Sequence, residues 1–296
     1  MSKVSILIPS RNEIFLEKTV DDIFNKATGD IEVIVNLDGY WPDPILADRP
    51  NLTIIHKGRA GGMRPAINGM VAIAKGDFLM KTDAHCMFSE GFDEVLAADC
   101  EPDWVSVPRR YSLDAENWTR KPKHPIDYLW LECPMKQIKN PNKELNVRVW
   151  NEKNYDKELQ KILIDDLFTM QGSCWFMPRD YFYFLELMDD KNYGTFRKEP
   201  QEISFKAWLS GGRVVRNKKC WYAHLHKGKV YGRGYSHGRN DYRRGDTYAR
   251  KWLIDDAWNE KQIKPFRWLI EKFEMPGWDD FDWDNAFEMV DDLYEK

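Results

Sequence analysis

Short, β-branched apolar runs alternate with segments of helical period through the first 110 residues, and few architectures accommodate that rhythm. Residues 4–8 (Val-Ser-Ile-Leu-Ile) end at Pro9-Ser10-Arg11-Asn12, the punctuation expected where a buried strand stops. Leu16, Val20, Ile23 and Phe24 then recur at helical spacing up to Gly29, with Asn12 placed to cap the helix. Residues 31–37 and 52–55 read as strands; Ala66, Ile67, Met70, Val71, Ile73 and Ala74 line a helix that stops at Gly76; residues 77–82 and 104–107 are further strands. Strands separated by helices at this spacing predict a mainly parallel sheet with helices on both faces, a doubly wound, Rossmann-like α/β unit. Residues 111–165 carry no clean period. Further on, residues 180–187 read as a helix after Pro178, residues 203–209 as a helix ending at Gly211-Gly212, and residues 213–216 as a strand.

The 296 residues are 43% hydrophobic and 31% charged, and no apolar run approaches the length of a membrane span, which excludes disordered and membrane-spanning classes. Met1-Ser2-Lys3 leads into an apolar run too short for a secretory signal, so a cytoplasmic protein of a bacterium or a phage-infected cell is expected. The five cysteines are scattered and form no C-x-x-C pair, so neither a disulfide framework nor a structural zinc site is indicated. The net charge of −4 hides a strong segregation. Residues 227–251 hold eight Lys/Arg against two Asp, with four interleaved tyrosines, whereas residues 252–296 hold thirteen acids against five bases and five tryptophans. The tail lacks linker composition and is expected to pack on the core.

In an open parallel sheet, ligands bind beyond the carboxyl ends of the strands. The polar residues predicted there are Arg11 (after Pro9), Asp38, Arg64 and Asp83. Strand alternation, if β-structure continues, puts Asp83 and His85 on one side, where a carboxylate and an imidazole suit a divalent cation. Taken alone, Asp-x-His also fits a turn-capping Asp beside a solvated His.

Four ordered blocks carry more weight. The chain reads Asp83-Ala84-His85-Cys86; Gly172 through Arg179-Asp180-Tyr181-Phe182; Glu199-Pro-Gln-Glu202-Ile-Ser204-Phe205-Lys-Ala-Trp208-Leu-Ser-Gly211-Gly212; and Cys220-Trp-Tyr-Ala-His224. Together they resemble the GT-A nucleotide-sugar glycosyltransferases, and most closely the polypeptide N-acetylgalactosaminyltransferases, over roughly residues 4–226. The resemblance implies a GT-A fold, a UDP-sugar donor, Mn2+ or Mg2+ held by Asp83, His85 and His224 (with His226 the fallback), and Asp38 receiving the nucleoside. Pro9, Arg11, Arg64 and Asp83 are the other donor contacts expected near the strand ends, where a guanidinium suits a pyrophosphate or uracil edge. Glu199 and Glu202 are implied near the reacting sugar. Inverting relatives begin the same helix with Glu-Asp, and Pro200 stands at the Asp position here. Either Glu199 or Glu202 substitutes as base, or the reaction is retaining. Phe196-Arg197-Lys198 replaces the family's Trp-Gly-Gly, and neither its lectin domain nor its membrane anchor is seen.

The expected organisation is a catalytic domain over 1–226 (nucleotide-binding half 1–110, acceptor half 111–226), a basic active-site loop over 227–251 and a packed extension over 252–296. Lys227, Arg233, Arg239, Arg243 and Arg244 in that loop suit a lid over the diphosphate. They equally suit a surface that tracks the phosphates of DNA whose hydroxymethylated base is the acceptor. Protein or glycan acceptors, a nucleotidyltransferase and a silent binding module are the rival readings. Pro9-Ser10-Arg11-Asn12-Glu13 lacks the glycines a nucleotidyltransferase loop needs. The oligomeric state is left open.

Overall fold

The computed structural model describes residues 2–42, 45–134, 144–232 and 239–290. Twelve strands are present among them: β1 (Val4–Ser10), β2 (Ile31–Asp38), β3 (Leu52–Lys57), β4 (Phe78–Thr82), β5 (Cys86–Phe88), β6 (Trp104–Asp114), β7 (Thr119–Arg120), β8 (Leu129–Leu131), β9 (Val147–Val149), β10 (Ile164–Asp166), β11 (Cys174–Pro178) and β12 (Arg213–His224). The main sheet runs β10-β12-β6-β11-β4-β1-β2-β3, with β5 paired to β12 and β7 to β6. β4, β1, β2 and β3 are mutually parallel. β11 lies antiparallel between β4 and β6, and β12 is parallel to β6. The sheet is mixed α/β and mainly parallel, as the strand–helix rhythm predicts. The intrusion of β11 between β4 and β6 has no local sequence signal, because pairing partners are chosen by the whole sheet.

β1 is buried along nearly its whole length because a core lies on each of its faces. Ile6 and Ile8 face a core shared with Val33, Val35, Leu16, Val20 and Ile23, while Leu7 faces the opposite core with Ile34, Ile67 and Met70. Each such side chain contributes about 1.5–3 kcal/mol of burial, and one register slip would swap both sets into the wrong core at once. The helices lie at Leu16–Lys26, Met63–Val71, Phe92–Asp99 and Glu199–Leu209, with shorter ones elsewhere. Asn12 does not cap the first helix: it adopts φ 52° and the helix begins four residues on, with Phe15 at the cap position. The Glu199–Leu209 helix starts four residues earlier than its apolar period suggests, because Pro200 suits the first turn, where no N–H is needed. The strand expected over 213–216 continues to His224.

The tail packs into the main core. Trp252 and Phe266 meet Phe205 edge-on at 5.6 and 4.9 Å, the Trp252 indole donates to the Tyr193 hydroxyl at 2.7 Å, and the Trp278 indole donates to the Leu131 carbonyl at 2.9 Å. The basic segment is not a loop throughout: residues Arg239–Ala249 are helical and a 3-10 turn follows at Arg250–Ile254. Gly245 is why that helix docks closely, since a Cβ there would stand 2.5 Å from the Tyr193 carbonyl oxygen. No helix among the described residues is long and apolar enough to cross a membrane.

Candidate active site

A cleft of about 860 Å³ opens at the carboxyl ends of β1, β2 and β4. Pro9, Arg11, Asp38, Asp83, His85, Glu199, His224 and Lys227 all line it. Asp83 and His85 do not continue a strand; they form the turn between β4 and β5. That turn doubles back so that β5 pairs antiparallel with β12, in a register that sets His224 opposite Cys86. The Leu225 amide donates to the His85 carbonyl at 3.1 Å and tightens the junction. A residue nearly 140 positions away is thereby delivered to the Asp-x-His turn.

The three side chains converge: His85 Nε2 and His224 Nε2 are 3.1 Å apart, and Asp83 Oδ2 lies 3.3 Å from His224 Nε2 and 3.9 Å from His85 Nε2. One ligand atom from each lies within 4.8 Å of the others. Glu13 Oε2 meets His85 Nδ1 at 3.2 Å and so fixes that ring, and the same carboxylate takes the Lys227 ammonium. Burial pushes His224 down to about 3, leaving its imidazole neutral at ordinary pH. Burial works against ionisation of Asp83 too, but the Lys81 ammonium, the hydrogen bond with His224 and His85 together hold its carboxyl well below the usual range. Cys86, of the same motif, is a core residue whose thiol burial pushes up. His226 hydrogen-bonds Arg110 at 2.8 Å and stands outside the cluster.

The remaining residues divide into those on the cleft surface and those beneath it. Asp38 accepts the amides of Gly61 (2.6 Å) and Gly62 (2.9 Å), which pins the loop entering the Met63–Val71 helix. Gly62 is required there: its φ is 101° and a Cβ would meet Thr195 at 2.4 Å. Glu199 Oε1 accepts the Trp175 indole at 2.7 Å, and burial raises its pKa against the pull of Lys81 and Trp175. Arg64 and Glu202, both fully buried, form an ion pair with each other and do not line the cleft. Lys206 also meets Glu202, at 3.0 Å. Burial opposes the charge on Glu202, but Arg64 and Lys206 hold it ionised. Phe205 and Trp208 are core residues whatever their place in the motif.

Of the basic segment, Arg243 and Arg244 are exposed on the Arg239–Ala249 helix, Arg233 lies outside the described residues, and nothing is described of the Arg239 side chain. Asp246 on that helix takes Arg197 through both carboxylate oxygens at 2.9 Å and approaches Lys198 at 3.3 Å, and both partners line the cleft. Sequence reasoning misses Glu13, Lys81 and Asp246. Lys81 does leave a trace: it is the one cation inside the apolar run 78–82, a position that only an internal counter-charge makes tolerable.

A sheet of this order with a carboxylate–imidazole cluster beyond its carboxyl ends is an α/β arrangement of GT-A type. Residues 5–185 match the model of glycosyl transferase family 2, and the chain belongs to that family. No curated protein matches it. Among solved structures it is similar to GalNAc-T7 with UDP, GalNAc and Mn2+ (TM-score 0.68, 18% identity), over 92% of this chain and 56% of that one. The chain thus spans little more than half the length of that relative. It is also similar to S. aureus TarS 1-349 and to its complex with UDP-GlcNAc, both at TM-score 0.53 and 14% identity, over 97% and 96% of this chain and 80% and 79% of theirs. At these identities the likeness is one of fold.

The burial of neutral His224 has a pH signature. The unfolded chain takes up a proton near the ordinary value of 6.5 that the folded chain refuses until about 3, so stability is lost as pH falls through that window. Urea midpoints of the chelator-treated protein should drop between about pH 7 and about pH 4, and His224→Asn should drop less steeply. Equal slopes for both proteins would show that His224 is not the group concerned.

Proposed function

We propose that this protein transfers a sugar from a UDP-sugar to an acceptor hydroxyl with the help of a divalent cation, Mn2+ or Mg2+. The convergence of Asp83, His85 and His224 at the mouth of a nucleotide-sized cleft carries this reading. Two imidazoles and one carboxylate suit Mn2+. His224 is neutral as a ligand must be, its Nε2 faces Asp83 and His85, and Glu13 backs His85 as outer partners of metal-bound histidines do. Once bound, the ion would supply Lewis-acid neutralisation of the diphosphate and of the departing UDP. The UDP, UDP-GlcNAc and Mn2+ in the solved relatives support that choice of donor and ion.

The protein's own residues then supply position. Arg11 and the loop pinned by Asp38 border the nucleoside end, while Lys227 stands over the cluster and adds positive charge where phosphate oxygens would lie. Arg64 and Glu202 act from below, fixing the Glu199–Leu209 helix and so the depth at which Glu199 sits. Asp83→Asn and His224→Ala should each abolish metal-dependent UDP release while leaving the far-UV spectrum intact. Full activity in either variant, or in wild type under excess chelator, would reject the reading.

Retention of anomeric configuration is the stereochemistry we favour. An inverting base must be a carboxylate able to take the acceptor proton. Pro200 stands where inverting relatives place theirs, and the described carboxylates of the cleft are engaged: Glu13 by His85 and Lys227, Asp38 by two amides, Asp83 in the cluster, Glu144 by Arg197, and Glu199 by Trp175. Proton NMR of the first-formed product should show the donor's anomeric configuration; the opposite anomer refutes the assignment.

For the acceptor we infer a hydroxymethylated base in DNA, because Arg243 and Arg244 are exposed on a helix that Asp246 ties to the cleft wall. Arg243→Ala/Arg244→Ala should weaken DNA binding and lower its salt slope by about 2, sparing UDP-sugar hydrolysis. Salt-insensitive or absent DNA binding by wild type would return the acceptor to protein or glycan and leave this segment a lid.

A further inference from the structure

We propose that Lys81 is a positioning residue that sets the ion preference of the site by occupying one oxygen of Asp83. The inference rests on the Asp83–His85–His224 reading above and concerns a residue outside that cluster. Lys81 lies in β4, opposite Leu7 of β1 and Trp175 of β11, and its side chain is 1% exposed. An ammonium has three donors and no acceptor. Here it meets three oxygens from three separate segments: Asp83 Oδ1 at 2.8 Å, the Gly172 carbonyl, and Glu199 Oε2 at 3.6 Å.

The consequence for Asp83 is geometric. With Oδ1 turned back to Lys81, Oδ2 is the oxygen that faces His224 and His85, at 3.3 and 3.9 Å. The site therefore presents two imidazole nitrogens and one carboxylate oxygen. Such a set favours ions that accept nitrogen, among them Mn2+, over Mg2+, which prefers an all-oxygen shell. Glu199 is held away by the same ammonium and by the Trp175 indole, so a second carboxylate stays out of reach of the cluster. Without the Lys81 charge, Asp83 could offer both oxygens and the floor of the cleft would carry two uncompensated carboxylates. The donor set would become harder and richer in oxygen, and Mg2+ would gain most. Lys81 thus works through Asp83 and Glu199 and need touch no substrate.

The test is titration of Mn2+ alone and Mg2+ alone into wild type and Lys81→Met, a neutral side chain of similar length, by calorimetry without donor. Wild type should bind Mn2+ more tightly, and in Lys81→Met the ratio of Mg2+ to Mn2+ dissociation constants should fall by about tenfold or more. Because Lys81→Met leaves Glu199 buried without its cation, Lys81→Met/Glu199→Gln removes both charges and is measured alongside; the same fall is expected in it. Unchanged ratios, or equal weakening of both ions, would mean that Lys81 is structural and overturn the proposal while leaving the metal reading intact. If wild type binds neither ion, both fall together.

Discussion

The pairing of β12 with β5 is the contact on which the candidate site depends, because it joins the two halves of the chain at the cluster. β12 runs parallel to β6 for its first five residues, and its register then slips: Asn217 faces Pro108, whereas Trp221 faces Arg109. Four steps on one strand against one on the other leave three extra residues on β12. An odd offset exchanges the faces of the strand. Beyond it, Tyr222, Ala223 and His224 pair on their other edge with Phe88, Met87 and Cys86. His224 therefore reaches the turn that holds Asp83 and His85 as a consequence of a bulge rather than of loop flexibility. A cluster made of one residue on a paired strand and two in the tight turn between paired strands is held more firmly than one assembled from long loops, which suits ligands that must converge within a few ångströms.

Charge buried beneath the cleft completes the scaffold. Arg64, Glu202 and Lys206 form a dehydrated group of two cations and one carboxylate, and Arg64 also donates to the Arg197 carbonyl at 2.8 Å and stacks over Tyr193. Removing one member of such a group costs about 3–5 kcal/mol, since the others remain buried without compensation. The group's contribution is specificity of arrangement more than net stability: it admits one depth and one rotation for the Glu199–Leu209 helix, with Glu199 at the cleft. Tyr193 in turn accepts the Trp252 indole, so the acidic, tryptophan-rich tail braces the same helix from behind.

The first half of the fold was legible because its signals are local. β1, β2 and β4 are continuous apolar runs, and the helices between them repeat at 3.6 residues, so neither needs knowledge of a distant partner. Asp83, His85 and His224 were legible through the order of motif blocks, although the turn that brings the first two together was not, since alternation along a strand and a tight turn both place residues i and i+2 on one side. Arg64 and Glu202 carry no such local signal. Arg64 stands near a strand end and Glu202 in a motif block, and both places suggest ligand contact, but a charge there can face either the cleft or the core, and only the packing of Tyr193 and Lys206 around them decides. Residues 111–165 lacked a period because their short strands are edges and hairpins, stabilised by side-chain contacts such as Asn154 with the Asp127 and Tyr128 amides.

The side of the cleft away from the strand ends follows a different logic from the side built on them. Its walls, residues 144–148 and 196–201, belong to no strand of the main sheet, and they are linked to one another by Lys198 and Gln201 donating to the Leu145 carbonyl at 3.0 and 2.9 Å. Asp246 then binds this pair of walls to the basic helix. These walls are anchored from within, since Leu145 lies in the main core and Lys198 and Gln201 are buried beside it. Phe196-Arg197-Lys198, where the resembled family has Trp-Gly-Gly, forms part of them: two side chains with long cationic ends replace two residues without side chains, and the helix that carries Asp246 docks onto them. The departure from the motif and the docking of the basic helix thus meet at one set of contacts, Asp246 with Arg197 and Lys198.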